Sequence, residues 1–257
     1  MIQRIRRLSV RDLLLLGLPS IALVAGAFWL ASLYIKPAPP ERIVIATGAK
    51  DGAYYTFARQ YAEVLARDGI QLEIRETAGA VANLKLLLDP ASDVEVAFVQ
   101  GGVKPAPASQ EAPELLKLAS VAYEPLWVFV RDRKPVDHLT QLKGRRIAVG
   151  TEGSGTRALA LLLAHANGLD APPTKLLAVG GHDAVVALEK GEADAAFFVA
   201  GPSSPLVREL LHRKDLQLMN FATAEAYTRR FPFLTRLVLP QDSLSFTEHL
   251  PARDVEL

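Results

Sequence analysis

Cysteine is absent from the 257 residues of this chain. That absence excludes a disulfide framework, a cysteine-based metal site, a thiol nucleophile and lipoprotein-type anchoring through an N-terminal cysteine. Charge of one sign is missing too: 29 Lys and Arg stand against 28 Asp and Glu. No basic footprint for nucleic acid follows from that balance. The five histidines, His138, His165, His182, His212 and His249, have no metal-ligand spacing and no Ser/His/Asp context. Glu124 and Asp183 are isolated acids without a paired carboxylate. The chain is therefore read as a non-enzyme with no metal and no cofactor.

Half of the residues are hydrophobic, enough for two small domains with a core each. The longest apolar run is near the N-terminus. Arg4, Arg6, Arg7 and Arg11 precede a charge-free stretch from Leu13 to Ile35. About 23 residues span a bilayer with some tilt, and basic residues on the short side place that side in the cytoplasm. Trp29 and Tyr34 then sit near the far interface. A cleaved signal peptide ending near Ala25 to Ala27 is the competing reading. The run continues through Phe28, Trp29 and Ile35, which favours an uncleaved anchor. The expected organisation is a basic cytoplasmic segment over 1–12, a transmembrane anchor over 13–35 and a Pro-rich spacer over 36–40. The main domain is then extracytoplasmic, on a single-pass protein of the cell inner membrane.

The rest of the chain says one thing twice, at an offset of about 100 residues. Arg42 to Gly48 is a β-branched run, followed by Asp51, Gly52, Ala53, Tyr54 and Tyr55 and a helical pattern to Gly69. Arg146 to Gly150 is followed by Gly153, Ser154, Gly155 and Thr156 and a helical pattern to Gly168. Asp93 to Gly102 and Asp194 to Gly201 form a second matched pair. Order, spacing and turn chemistry agree, so two similar α/β lobes are expected. Their facing helix N-termini suit anions. Lobe 1 is expected over 41–123 and 221–257, lobe 2 over 124–220. Strands alternating with helices argue mostly parallel sheets with ligand turns at strand C-termini. Leu116–Tyr123 and Leu126–Val130 read as strands crossing to the second lobe, and 217–236 as the return path.

Gly150 to Arg157 is a near miss to a phosphate loop: the lysine that meets the β- and γ-phosphates is missing. Nucleotide hydrolysis is excluded on that ground. What remains is a nest of N–H groups, the hydroxyls of Ser154 and Thr156 and the guanidinium of Arg157. This set suits a carboxylate or a simple oxyanion. An ordinary Ser or Thr helix cap explains the same residues. In the first lobe, Gly52 permits close backbone approach, and one of Tyr54 and Tyr55 is expected to face the cleft. Asn83 offers an amide to a ligand or caps a helix, and Gln100 is a cleft ligand or a strand's exit into solvent.

These residues together resemble the TAXI-type solute receptors of TRAP transporters, related to the periplasmic substrate-binding proteins. The resemblance covers about 41–240. It rests on Ile45 to Gly48 with Gly52 to Tyr55, on Thr77 to Asn83, on Val96 to Gln100 and on Val149 to Thr156. It implies a two-lobed, type II periplasmic-binding-protein-like α/β fold that closes on a small anionic solute, an organic acid or amino acid, for a TRAP-type permease. A membrane sensor built on the same fold is the alternative. Carried over by position, ligand contacts come from Gly52, Tyr54, Tyr55, Ala80, Asn83, Gln100, Ser154, Gly155 and Thr156, with Arg157 beside them. Asp51 replaces a second glycine before the tyrosines, and Ala80 replaces a common serine.

Overall fold

The computed structural model describes residues 10–34, 40–104, 114–132 and 134–257. Arg4, Arg6, Arg7, Ile35 and most of the spacer lie outside them. Two compact units are present, Met1–Pro40 and Glu41–Leu257.

Among its described residues the first unit holds one helix, α1 (Val10–Tyr34), with Pro19 in its interior. Proline removes one rung of the helical hydrogen-bond ladder. Among the described residues no helix is long and apolar enough to cross a membrane. The expected anchor over 13–35 is corrected on that finding, and with it the membrane as a partner and the single-pass inner-membrane location.

The second unit has two lobes. Lobe 1 is a three-stranded parallel sheet of order β2-β1-β3, with β1 (Arg42–Ala46) central between β2 (Gln71–Arg75) and β3 (Val96–Ala97). Alternation along β1 sends residues to opposite faces. Val44 and Ala46 pack with Val94, Leu86 and Leu87 under α3 (Ala80–Leu88). Ile45 packs with Phe98, Ala58 and Phe57 under α2 (Ala53–Leu65). Gly69 closes the α2 segment in the left-handed region, where glycine carries no Cβ penalty.

Lobe 2 is a five-stranded mixed sheet of order β6-β5-β7-β4-β8. Its members are β4 (Leu126–Val130), β5 (Arg146–Ala148), β6 (Lys175–Leu177), β7 (Ala195–Val199) and β8 (Gln217–Leu218). Strands β5, β6 and β7 run parallel, and β4 is antiparallel to β7 and β8. On one face Val128, Val130, Ile147 and Phe197 meet Leu159, Ala160 and Leu163 of α4 (Gly155–Ala166). On the other, Trp127, Phe129 and Phe198 meet α5 (Gly181–Glu189) and α6 (Pro205–Leu211).

Two expectations about the path of the chain change. Residues 221–257 join lobe 2 and not lobe 1. Phe221 and Ala224, the latter in α7 (Ala224–Arg230), enter one face of its core, and Leu239 and Val255 enter the other. The hairpin of β9 (Val238–Leu239) and β10 (Val255–Glu256) supplies the latter two, and Glu256 O accepts from Phe221 N at 2.9 Å. Burying those side chains on the large sheet removes their apolar surface from water. Residues 116–123, expected as a strand, make no ladder pairing among the described residues. Leu116 and Leu118 are each 80% exposed.

Candidate functional site

The parallel strands β5 and β7 end at the same edge of the lobe 2 sheet, because Ala148 lies opposite Ala196 in register. The turn from Gly150 to Ser154 leaves β5 there and leads into α4. Gly150 has a φ of 95°, the left-handed region open to glycine. Ser154 is the N-cap: its Oγ accepts from Arg157 N at 3.1 Å and donates to Thr151 O at 2.7 Å. Its hydroxyl is therefore spent on the turn. Among the described residues nothing accepts from the backbone N–H groups of Gly155 and Thr156, the open donors that a helix N-terminus leaves. On the next residue, Arg157 Nη1 is buried with no hydrogen-bond partner. An unmet buried donor costs about 1–3 kcal/mol, which a bound oxyanion would recover. Thr156 is partly exposed and no partner holds its hydroxyl among the described residues.

Lobe 1 meets this turn through its own small residues. The carbonyl of Gly153 accepts from Val81 N and Ala82 N, both at 3.1 Å. The Val81 and Ala82 N–H groups in the first turn of α3 are thus capped by the other lobe and not open to a ligand. Ala80 is buried against Gly155, where a Cβ would collide with Gln100 Oε1. Gln100 lies at this junction, beside a cavity of about 20 Å³ lined also by Gly102, Ala158, Leu162 and Phe233. That volume holds about one water.

Asn83 departs from the ligand role. It is fully buried, and its Nδ2 donates to Thr47 O at 2.6 Å and to Phe98 O at 2.8 Å. Its Oδ1 accepts from Thr77 Oγ1 at 2.5 Å. The amide ties the end of β1 to the strand exit before Gln100 and reaches no cleft.

The two tyrosines take different environments. Tyr54 turns inward, stacked on Phe98 with ring centroids 5.1 Å apart. Its hydroxyl donates to Glu124 Oε2 at 2.9 Å. Burial, then the nearby Glu124 charge, pushes the Tyr54 hydroxyl well above its ordinary range. Burial also raises the Glu124 carboxyl, while the Tyr54 hydrogen bond pulls it back down. Tyr55 is partly exposed. Gly52 is the N-cap of α2, and its N–H donates to Ala49 O at 2.8 Å. Glu124, an isolated acid in the sequence, is the junction residue that the motifs missed. Its one signal was its place at the end of the crossing segment. Among the described residues no group of three His, Cys, Asp or Glu could hold a metal ion.

The sequence model of one family, described as the NMT1-like family, matches residues 45–252. The chain belongs to the NMT1-like family. Among solved structures, this NMT1-like chain is similar to the alkanesulfonate-binding protein of Xanthomonas axonopodis pv. citri bound to MOPS. The identity is 18%, over 77% of this chain and 70% of that one, with a TM-score of 0.50. It is also similar to the periplasmic aliphatic sulphonate binding protein of Escherichia coli, at 18% identity over 75% of this chain and a TM-score of 0.48. The chain spans 64% of the length of that protein, less than two-thirds. An ancestral arginine-binding protein bound to arginine matches at 14% identity over 70% of this chain and 79% of that one, with a TM-score of 0.49.

The likeness to the Xanthomonas protein, at a TM-score of 0.50, shows the fold: two-lobed, α/β and type II periplasmic-binding-protein-like. The narrower expectation of a TAXI receptor serving a TRAP permease is corrected to this broader family, since neither the family match nor these structures name one. The functional expectation of a membrane-anchored receptor or membrane sensor is corrected with it, because no described helix can provide the anchor.

Proposed function

We propose that this NMT1-like protein binds one small organic anion between its lobes, at the N-terminus of α4. The observation that carries the reading is the pair of unmet backbone donors in one turn, Gly155 N and Thr156 N, followed in sequence by Arg157, whose Nη1 is buried without a hydrogen-bond partner. A helix N-terminus favours negative charge, and a guanidinium adds a planar, permanently charged fork that fits carboxylate, sulfonate or phosphate oxygens. Thr156 contributes a hydroxyl, and Gln100 and Gly155 set the closeness of the lobes. In lobe 1, Gly52, Tyr54 and Tyr55 are the residues assigned to the same ligand, with Tyr54 stacked on Phe98 and Tyr55 partly exposed. Ala80 contributes by packing. Binding free energy shifts the balance between open and closed lobes, without a chemical step.

Native mass spectrometry of the full chain, after incubation with carboxylates, sulfonates and amino acids, tests the reading. A population heavier by one acid is expected, lost on unfolding. A bare mass with every compound at millimolar concentration would reject it.

A further inference from the structure

The lobes meet through groups of different kinds. Gly153 accepts from the first turn of α3, Gln100 lies against Gly155, and the Phe233 ring lies against Gly102. Backbone, amide and ring groups make these contacts, and none of them titrates. The contact between Tyr54 of α2 and Glu124, just before β4, is different in kind. The Tyr54 hydroxyl donates to Glu124 Oε2 at 2.9 Å, so one lobe holds the other through a carboxyl that can gain or lose charge.

Both partners are partly withdrawn from water. The Tyr54 ring stacks on Phe98, and Glu124 leads into the buried Pro125 and Trp127. Among the described residues the Tyr54 hydroxyl is the one titratable group that touches this carboxyl, and no Lys, Arg or His pairs with it. Other acids of lobe 2 have a cation beside them, Arg146 for Asp194 and Arg145 for Asp132. An ionised carboxyl half-buried without a cation costs free energy that a neutral one does not. Burial accordingly raises the Glu124 carboxyl above its ordinary 4.5, and the Tyr54 hydrogen bond lowers it by less. The Tyr54 hydroxyl is itself pushed well above its ordinary range, by burial first and the Glu124 charge second. It stays protonated wherever Glu124 titrates, so the acid alone changes charge.

We propose that Tyr54 and Glu124 form a proton-linked clasp between the lobes: closure takes up a proton at the Glu124 carboxyl, so acid holds the lobes together and rising pH releases them. The proposal takes the movement of the lobes from the reading above, and neither the anion site nor the solute. Separation returns the carboxyl to water, where it ionises near its ordinary 4.5. The closed pair therefore binds more protons than the open one, and its advantage is lost as pH rises from 4.5 through the raised value. Within that interval the closed-to-open ratio falls about tenfold per pH unit, one proton being exchanged per closure. The neutral carboxyl keeps its bond to Tyr54, because a protonated acid still accepts.

Two readouts on the full chain test it across the carboxylate range and up to neutral pH: carbon-13 NMR of the Glu124 carboxyl in glutamate-labelled protein, and the radius of gyration from X-ray scattering. In the wild type the carboxyl should titrate above 4.5, and the radius should grow over the same pH interval. Glu124→Gln keeps the shape, carries no charge and should hold the smaller radius at every pH. Tyr54→Phe removes the hydrogen bond that lowers the carboxyl, so it should move both midpoints to higher pH together. That variant serves if Glu124→Gln does not fold. A Glu124 midpoint at the ordinary value, or a wild-type radius that ignores pH, overturns the clasp. A pH-dependent radius unchanged in Glu124→Gln overturns it as well. The anion site is judged separately by the mass shift described above, which depends on neither readout.

Discussion

Asn83 shows how much a single amide can decide. Its side chain reaches two carbonyls that belong to different strand exits, Thr47 O and Phe98 O, and accepts from Thr77 Oγ1. Replacing it with alanine leaves those buried groups unmet. A loss of roughly 1–3 kcal/mol per unmet group is expected, read as a fall in the urea midpoint of the full chain at unchanged slope. An unchanged midpoint would show that the amide is dispensable to lobe 1. The sequence carried the polar character of Asn83 but not its destination. Thr47 and Phe98 are 36 and 15 residues away, and a side chain that bonds to main-chain carbonyls leaves no residue-type pattern in its partners. Arg157 lies at the other extreme. Its place in a Gly-rich turn was legible from spacing, while the missing partner of Nη1 is a property of packing.

At the scale of elements, the alternating strands and glycine-closed helices were legible because their signals are local. Tyr54, Phe57, Ala58 and Tyr61 repeat at helical spacing, and α2 runs from Ala53 to Leu65. The β9–β10 hairpin was not legible as part of lobe 2, because two-residue strands carry no period and their pairing is set by which core has room. The junction between β5 and β7 illustrates a pairing that can be tested. Asp194 accepts from Arg146 N at 2.8 Å and from Arg146 Nε at 3.0 Å. The Arg146 hydrogen bond holds the Asp194 carboxyl below its ordinary value of 3.8. An acid with a lowered folded pKa contributes stability that is present above its unfolded value and is lost as pH falls through the folded one. Asp194→Asn should therefore cost stability at pH 7, by about 1 kcal/mol for a partly exposed pair. It should also flatten the acid side of a melting-temperature profile below about pH 4. A variant whose profile parallels the wild type down to pH 2 would show that the pairing does not stabilise the fold.

For the whole molecule, the repeat gave two lobes, and the comparisons give the NMT1-like family over 45–252. The lobes are unequal: three strands face five, since the tail adds its apolar side chains to the larger core. The described chain leads from lobe 1 to lobe 2 through 114–125 and stays there, so the junction rests on side-to-side contacts. These are Val81 and Ala82 on Gly153, Gln100 on Gly155, and Tyr54 on Glu124. Small residues dominate them, which lets the backbones approach closely and leaves little cavity. The account holds that an anion enters this junction at the open donors of α4. Its most direct test is calorimetric titration of MOPS, glutarate and L-glutamate into the full chain and into Arg157→Ala. The account predicts one-to-one binding of at least one anion, weakened about tenfold to a hundredfold in the variant by the loss of a charged hydrogen bond worth about 1.5–3 kcal/mol. Equal affinities in the two proteins would contradict it.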